Sequence, residues 1–247
     1  MNRGQLVFET SRSLGLDDTA ASDELILMQR WFNRGIVDIL ERTRCYVDIG
    51  TMALQANITD YRITSDILAV LNLTTPDQSG NPNTLDVIAM SDLIPMLSQS
   101  AAPSANPSYA SVEGNLLRVA PAPSGAAVLT YYYVPKPTEA TADGTTAADS
   151  ADPSTATYGG IPTEYHDALL MYMIWRGAEF NQQGGGFYRG KAYASGAAYK
   201  SEYVERCTEI RDMHRRKAGR GLSPGKVGYP DRDNSPQRND VYPNYSR

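Results

Sequence analysis

The residues best suited to proton transfer, nucleophilic attack or metal binding are two histidines and two cysteines, and their placement argues against all three chemistries. His166 falls in the first turn of a predicted helix and His214 near the end of another, where an imidazolium is stabilised by the helix dipole; both read as structural or capping groups. Cys45 and Cys207 cannot by themselves build a four-ligand zinc site or a disulfide framework, and they read as reduced packing residues. No His-Glu-x-x-His, Gly-x-Ser-x-Gly or phosphate-binding loop ending in Gly-Lys-Ser/Thr occurs. The glycines from Gly184 to Gly190 follow a helix, not a strand, and lack the third glycine of a dinucleotide fingerprint, so a helix-helix connection is the better reading. Asp143, Asp149 and Asp152 miss the alternating spacing of a calcium loop. The sequons at Asn57, Asn72 and Asn244 have no meaning without a secretory route. No catalytic residue, cofactor or metal is expected.

The elements that must carry any function follow from composition and periodicity. A chain of 247 residues with 41% hydrophobic and 21% charged residues has the makeup of a globular protein able to bury roughly 70 to 75% of its extended surface. Its longest apolar helical run, Ala168 to Trp175, is far short of the roughly 18 residues a membrane span needs, so no membrane contact is expected. Glu9 interrupts the apolar stretch that a cleaved signal peptide would require. The net charge of -5 hides an asymmetry: residues 1 to 180 hold 10 Lys+Arg and 21 Asp+Glu, whereas residues 181 to 247 hold 13 and 7. An acidic body argues against a surface that wraps nucleic acid.

A short helix is expected from Asn2 to Leu14, closed by Gly15, and a longer one after the cap Ser22, with Leu25, Met28, Phe32, Ile36, Ile39 and Leu40 on one stripe. From Cys45 the period changes to two. Strands are expected near 46–49, 58–63 and 67–73, the last alternating Ile67, Ala69, Leu71 and Leu73 on one face. Asn115 to Val119 and Ala127 to Val134, flanking Pro121-Ala122-Pro123-Ser124-Gly125, predict a hairpin. Residues 137–160 are nearly all Pro, Thr, Glu, Ala, Asp, Gly and Ser, which predicts a long exposed loop with too little apolar surface to offset its ordering entropy. Helix resumes after the cap Thr163, with Leu169, Tyr172, Trp175 and Ala178 facing inward. A last helix over about 191–216 carries Tyr199, Tyr203, Cys207, Ile210 and His214.

The fold class is therefore α+β, a helical bundle of two N-terminal and two C-terminal helices (1–44 and 161–216) with an inserted β-rich domain (45–136), the loop 137–160 and an extended C-terminal arm (217–247). The arm is unusual. Its Pro224, Pro230, Pro236 and Pro243 disfavour helix, it carries a net +3, and Tyr229, Val241, Tyr242 and Tyr245 supply anchors that a solvated tail does not need. Arg220, Tyr229, Arg232, Val241, Tyr242 and Tyr245 are the expected partner-binding residues.

The order of these parts, with Arg3-Gly4-Gln5-Leu6-Val7 at the start, Trp31-Phe32-Asn33, Tyr131-Tyr132-Tyr133-Val134-Pro135 and the helix opening Ile161 to Leu169, resembles the head-to-tail adaptor (connector) proteins of tailed bacteriophages over about residues 1–216. The resemblance implies a non-enzymatic homo-oligomeric ring, usually of twelve copies, seated on the portal protein and presenting a platform to tail or nozzle proteins while DNA passes through its centre. It also implies a place at the head-tail interface of the virion after assembly in the host cytoplasm. Two other readings stay open at this point. One is an enzyme or small-molecule module with a pocket lined by Tyr61, Tyr131 and Tyr133. The other is a nucleic-acid binder using Arg206, Arg211, Arg215, Arg216, Lys217 and Arg220, weakened by the interleaved Glu202, Glu205, Glu209 and Asp212.

Overall fold

The computed structural model describes residues 1–15, 22–77, 79–99, 103–104, 106–140, 151–182 and 196–221. Helix α1 (Arg3–Ser13) starts at a capping box: Asn2 Oδ1 accepts from the Gln5 amide at 2.9 Å while Gln5 Oε1 accepts from the Asn2 amide at 3.0 Å. It stops at Gly15, whose φ of +67° suits glycine. Helix α2 (Ser22–Thr43) begins at the residue read as its cap, although the side chains of residues 22–24 lie outside the described residues. Met28, Phe32, Ile36, Ile39 and Leu40 are buried as the spacing requires, and Trp31 joins them; Leu25 is exposed, so the stripe starts one turn later than expected.

Helix α4 (His166–Gln182) is the centre of the helical region. Ala168, Leu169, Tyr172, Met173, Ile174, Trp175 and Ala178 are all buried, so the helix is covered on several sides, as an apolar-all-round helix must be. Two glycines let its neighbours approach: a Cβ on Gly177 would lie 2.4 Å from Leu14, and one on Gly35 of α2 would lie 2.5 Å from Leu169. Helix α5 (Gly196–Gly221) buries Tyr203, Cys207 and Ile210, and it runs on through Gly221, past the expected end at Arg216. Side chains of α1, α2, α4 and α5 share one core.

The β region has two four-stranded sheets. The first has the order β1 (Asp48–Leu54), β8 (Ala127–Pro135), β3 (Ile67–Pro76), β4 (Pro82–Thr84); the second has β2 (Asp60–Arg62), β7 (Leu116–Ala120), β6 (Tyr109–Glu113), β5 (Asp86–Val87). Every pairing is antiparallel except β5 with β6. Leu54, Leu73, Leu129 and Tyr131 from the first sheet meet Ala110, Leu117 and Val119 from the second to form the core between them. A small third core lies under α3 (Met90–Gln99), where Met90 and Leu93 meet Ala120. Mixed α+β architecture is thus observed.

Three local expectations are corrected. The predicted hairpin does not form, because β7 and β8 belong to different sheets; Pro121 and Pro123 cannot donate to a ladder, and the segment carries the chain across from one sheet to the other. The hairpin that does form joins β6 to β7 through Gly114, at φ +59°, and Asn115. In β3 the expected alternation is broken by bulges between Ile67 and Ala69 and between Val70 and Asn72. Each bulge turns an extra leucine, Leu68 and Leu71, toward the helical core while Ile67, Val70 and Leu73 keep to the β core. One strand therefore serves both cores.

The third correction concerns 137–160. Ala140, Ala151 and Gly159 are buried, and the flanks of this stretch are pinned by backbone bonds. Asn33 holds the peptide of Ala140 from both sides, at 3.0 and 3.1 Å, Arg3 N–H donates to the Ala151 carbonyl at 2.7 Å, and Thr138 N–H donates to that of Thr157 at 2.8 Å. Small residues bury little side chain but allow close backbone docking, which composition alone does not weigh. Residues 141–150 lie outside the described residues.

Candidate interaction surfaces

The histidines and thiols are engaged by their neighbours or buried. His166 is 1% exposed. Its Nε2 donates to the Ile161 carbonyl at 3.1 Å, which leaves Nδ1 to accept from the Met1 amine at 2.9 Å. Burial pushes its pKa below the usual range, and the positive amine adds to this, against the opposing pull of the Ile161 carbonyl and of Asp152. The His214 ring meets Tyr165 edge-on at 5.6 Å. Burial raises the pKa of Cys45, and that of Cys207 to about 11, so neither is a ready thiolate. Among the described residues no cluster of His, Cys, Asp and Glu could hold a metal ion, and no helix is long and apolar enough to cross a membrane.

One polar knot lies inside the helices. The Tyr203 hydroxyl of α5 donates a short bond to Asp38 Oδ2 of α2, the same oxygen that accepts from Arg42 Nε at 2.6 Å, and the Arg42 guanidinium sits over the Tyr203 ring. Burial foremost, with Cys207 and Asp38 nearby, raises the pKa of Tyr203 so that it stays a donor. Tyr172, Trp175 and Tyr203 pack ring to ring around it, with Lys200 Nζ 5.2 Å from the Trp175 ring. The knot ties α2 to α5.

The tyrosines of the expected pocket are each committed to packing. All three border the β core, but the Tyr61 hydroxyl closes the loop at Gln55 and Ile58, Tyr131 lies across Gly50, where a Cβ would come within 2.2 Å, and Tyr133 donates to Asp48 at 3.4 Å. The basic residues of α5 are partly paired: Arg206 Nε meets Asp167 of α4 at 2.9 Å and its Nη1 meets Glu209 at 2.7 Å. Arg206 is thus part of a salt-bridged helix surface, screened by solvent. Of the expected partner-binding residues, Arg220 lies on the last turn of α5 with its side chain outside the described residues; Tyr229, Arg232, Val241, Tyr242 and Tyr245 lie outside them altogether.

Sequence reasoning missed the exposed apolar surface of the β region. On the outer face of the first sheet, Ile49 stands opposite Tyr132, Thr51 opposite Thr130 and Ala53 opposite Val128. Ile49 is 57% exposed and Val128 51%, and no charge interrupts these three pairs. Val87 and Ile94, at β5 and α3, are also half exposed. The signal was present in Tyr131-Tyr132-Tyr133, which puts rings on both faces, but the sequence did not say which face was inward.

The model of the SU10 adaptor protein family matches residues 1–227. No curated protein matches. Among solved structures, a chain from the neck of an empty GTA particle computed with C6 symmetry is similar at 15% identity over 83% of this chain and 90% of that one, with a TM-score of 0.25, too low for the superposition to carry weight.

Proposed function

The chain belongs to the SU10 adaptor family, as its likeness to head-to-tail adaptors implied, and from that premise we propose that it forms an oligomeric ring, of twelve copies, joining the capsid portal to the tail or nozzle proteins. In this reading it is a structural virion protein at the head-tail interface, assembled in the host cytoplasm, and it catalyses nothing. The helical bundle makes the lateral contacts, the β region of 45–136 faces the tail, and the arm from 217 to 247 docks on the portal or on a neighbouring subunit through Arg220, Tyr229, Arg232, Val241, Tyr242 and Tyr245.

The observation that carries the reading is the family match across 1–227. The charge distribution supports it: a body with 21 acids against 10 bases over residues 1–180 gives DNA like-signed walls to slide past, where a basic lumen would hold phosphates by counterion release. Electron microscopy of the purified protein with and without its portal tests the reading. Closed rings seated on the portal are expected; a chain that stays monomeric with portal present overturns it. Truncation after Lys217 tests the arm, since the body should fold yet leave the portal at moderate salt.

A further inference from the structure

The two sheets have four outer edges among the described residues, and three are blunted. Strand β4 has three residues and is paired with β3 through Pro82 against Pro76; β2 has three residues with Asp60 and Arg62 at its ends; β5 has two. Short length, proline and charge are the devices by which proteins keep an edge from pairing. Strand β1 has only one of them, the exposed Asp48 at its first residue. It runs seven residues, Asp48-Ile49-Gly50-Thr51-Met52-Ala53-Leu54, pairs only with β8, keeps an unbroken register and carries no proline or lysine. The Ile49 N–H is held by its neighbour's Asp48 carboxylate at 2.8 Å, so it points away from β8. The two-residue alternation of an antiparallel ladder then turns the N–H and carbonyl groups of Thr51 and Ala53 to the same open side.

We propose that this edge is completed by residues Gln237–Tyr242 of the C-terminal arm, added as a ninth strand. The proposal rests on the docking role given to the arm above and names where that docking occurs. Three features of the chain select this segment. Between its prolines the arm has windows 225–229, 231–235 and 237–242. The first is broken by Gly225 and Gly228, the second is Asp-Arg-Asp-Asn-Ser without a strand former, and only the third ends in adjacent strand formers, Val241-Tyr242. Its six residues are one fewer than the seven of β1. The arm as a whole is complementary in charge: residues 45–136 carry seven acids against three bases, with exposed Asp48 at the start of β1, while the arm from Lys217 carries six bases against three acids and the window itself is neutral, with Arg238 and Asp240. Pairing β1 with β1 of another copy would instead bring two acidic units together. Gly221, the last residue of α5, and Gln237 are sixteen residue steps apart, a tether of about 50 Å when extended.

Amide hydrogen exchange on the full-length protein tests this, comparing the wild type with the double variant Asn239→Pro/Asp240→Pro, whose adjacent prolines remove one N–H from each side of the added strand and lie outside the folded body. Thr51 and Ala53 are expected to exchange about tenfold or more faster in the double variant than in the wild type. Protection that survives dilution assigns the strand to the same chain, and protection lost on dilution assigns it to a second copy; either supports the proposal. Equal exchange in the two proteins overturns it, whether both are unprotected or both are protected through β1 pairing with β1. In that event, failure of the chain truncated after Lys217 to stay on the portal would show that the arm docks elsewhere, whereas undiminished retention would remove its docking role altogether.

Discussion

Helices α1, α2, α4 and α5 turn most of their large apolar side chains into one core, and among the described residues their exposed large apolar ones, Phe8, Leu25 and Val204, stand on three different helices. The β region behaves otherwise: Ile49 and Val128 share one sheet face, Val87 and Ile94 lie within eight residues of each other, and β1 leaves an edge open. The helices also share a part-buried polar knot, Asp38, Arg42 and Tyr203, that ties α2 to α5. One region is built to hold itself together and the other retains apolar surface that folding does not use. In a protein that is one part of a larger assembly, that retained surface is where contact energy is available.

The largest effect that sharpens this contrast is expected from Phe32→Ala. Phe32 is fully buried in the helical core, so truncation should cost about 3 to 5 kcal/mol, read as a lower denaturant midpoint with an unchanged slope. A loss below about 1 kcal/mol would mean that the helical core is loosely packed, and the contrast would break.

Next in size is Asn33→Ala, expected to cost about 1 to 3 kcal/mol because the partly buried N–H and carbonyl of Ala140 both lose their partner. The same reasoning says that deletion of residues 140–151 destabilises, since it removes both Ala140 and Ala151, whereas shortening strictly within 142–149 costs little because closure entropy depends only logarithmically on length. Equal stability for the two deletions would show that the Asn33 clamp contributes nothing.

A smaller effect is expected from pH. The pKa of His166 is lowered in the folded state, mainly by burial, with Met1 and Asp152 the charged groups facing it. Its contribution is fully present above the unfolded value of about 6.5 and is lost as pH falls through the folded value, because the unfolded chain then binds a proton that the folded one resists. Thermal unfolding between about pH 7.5 and about pH 5.5 should show a steeper loss of Tm in the wild type than in His166→Gln. Parallel profiles would assign the acid sensitivity to carboxylates instead.

How much of this was legible follows the range of the forces involved. The inward stripes Met28 to Leu40 and Tyr203 to Ile210 were readable because helical contacts are set by spacing within one segment. The pairing of β8 with β1 and β3 was not, since turn residues at 121–125 describe a bend and not which strands lie beside it. The bulges of β3 were hidden because a strand that feeds two cores has no single period. Ala140 and Ala151 were hidden because their burial is due to the chain around them. The surface residues suffered most: that Tyr132 and Ile49 point outward while Tyr131 and Tyr133 point inward is a fact of register, and a slip of one residue would exchange the two faces.

The smallest expected stability change is the most telling for function. Ile49→Thr and Val128→Thr keep β-branched side chains, so strand preference is preserved and only apolar surface is removed. At about half exposure these residues gain little from folding, and each substitution should move stability by no more than about 0.5 kcal/mol. If the β region faces the tail as proposed, the double variant should nonetheless hold tail components less firmly, because a face that meets a partner loses apolar contact there. The measurement is paired: the unfolding midpoint of the free chain, and retention of tail proteins on portal-bound rings. A fall of several degrees in Tm would make this face part of the β core. Unchanged stability with unchanged tail retention would leave the face without a partner, and the contrast between the two regions would then be one of packing alone.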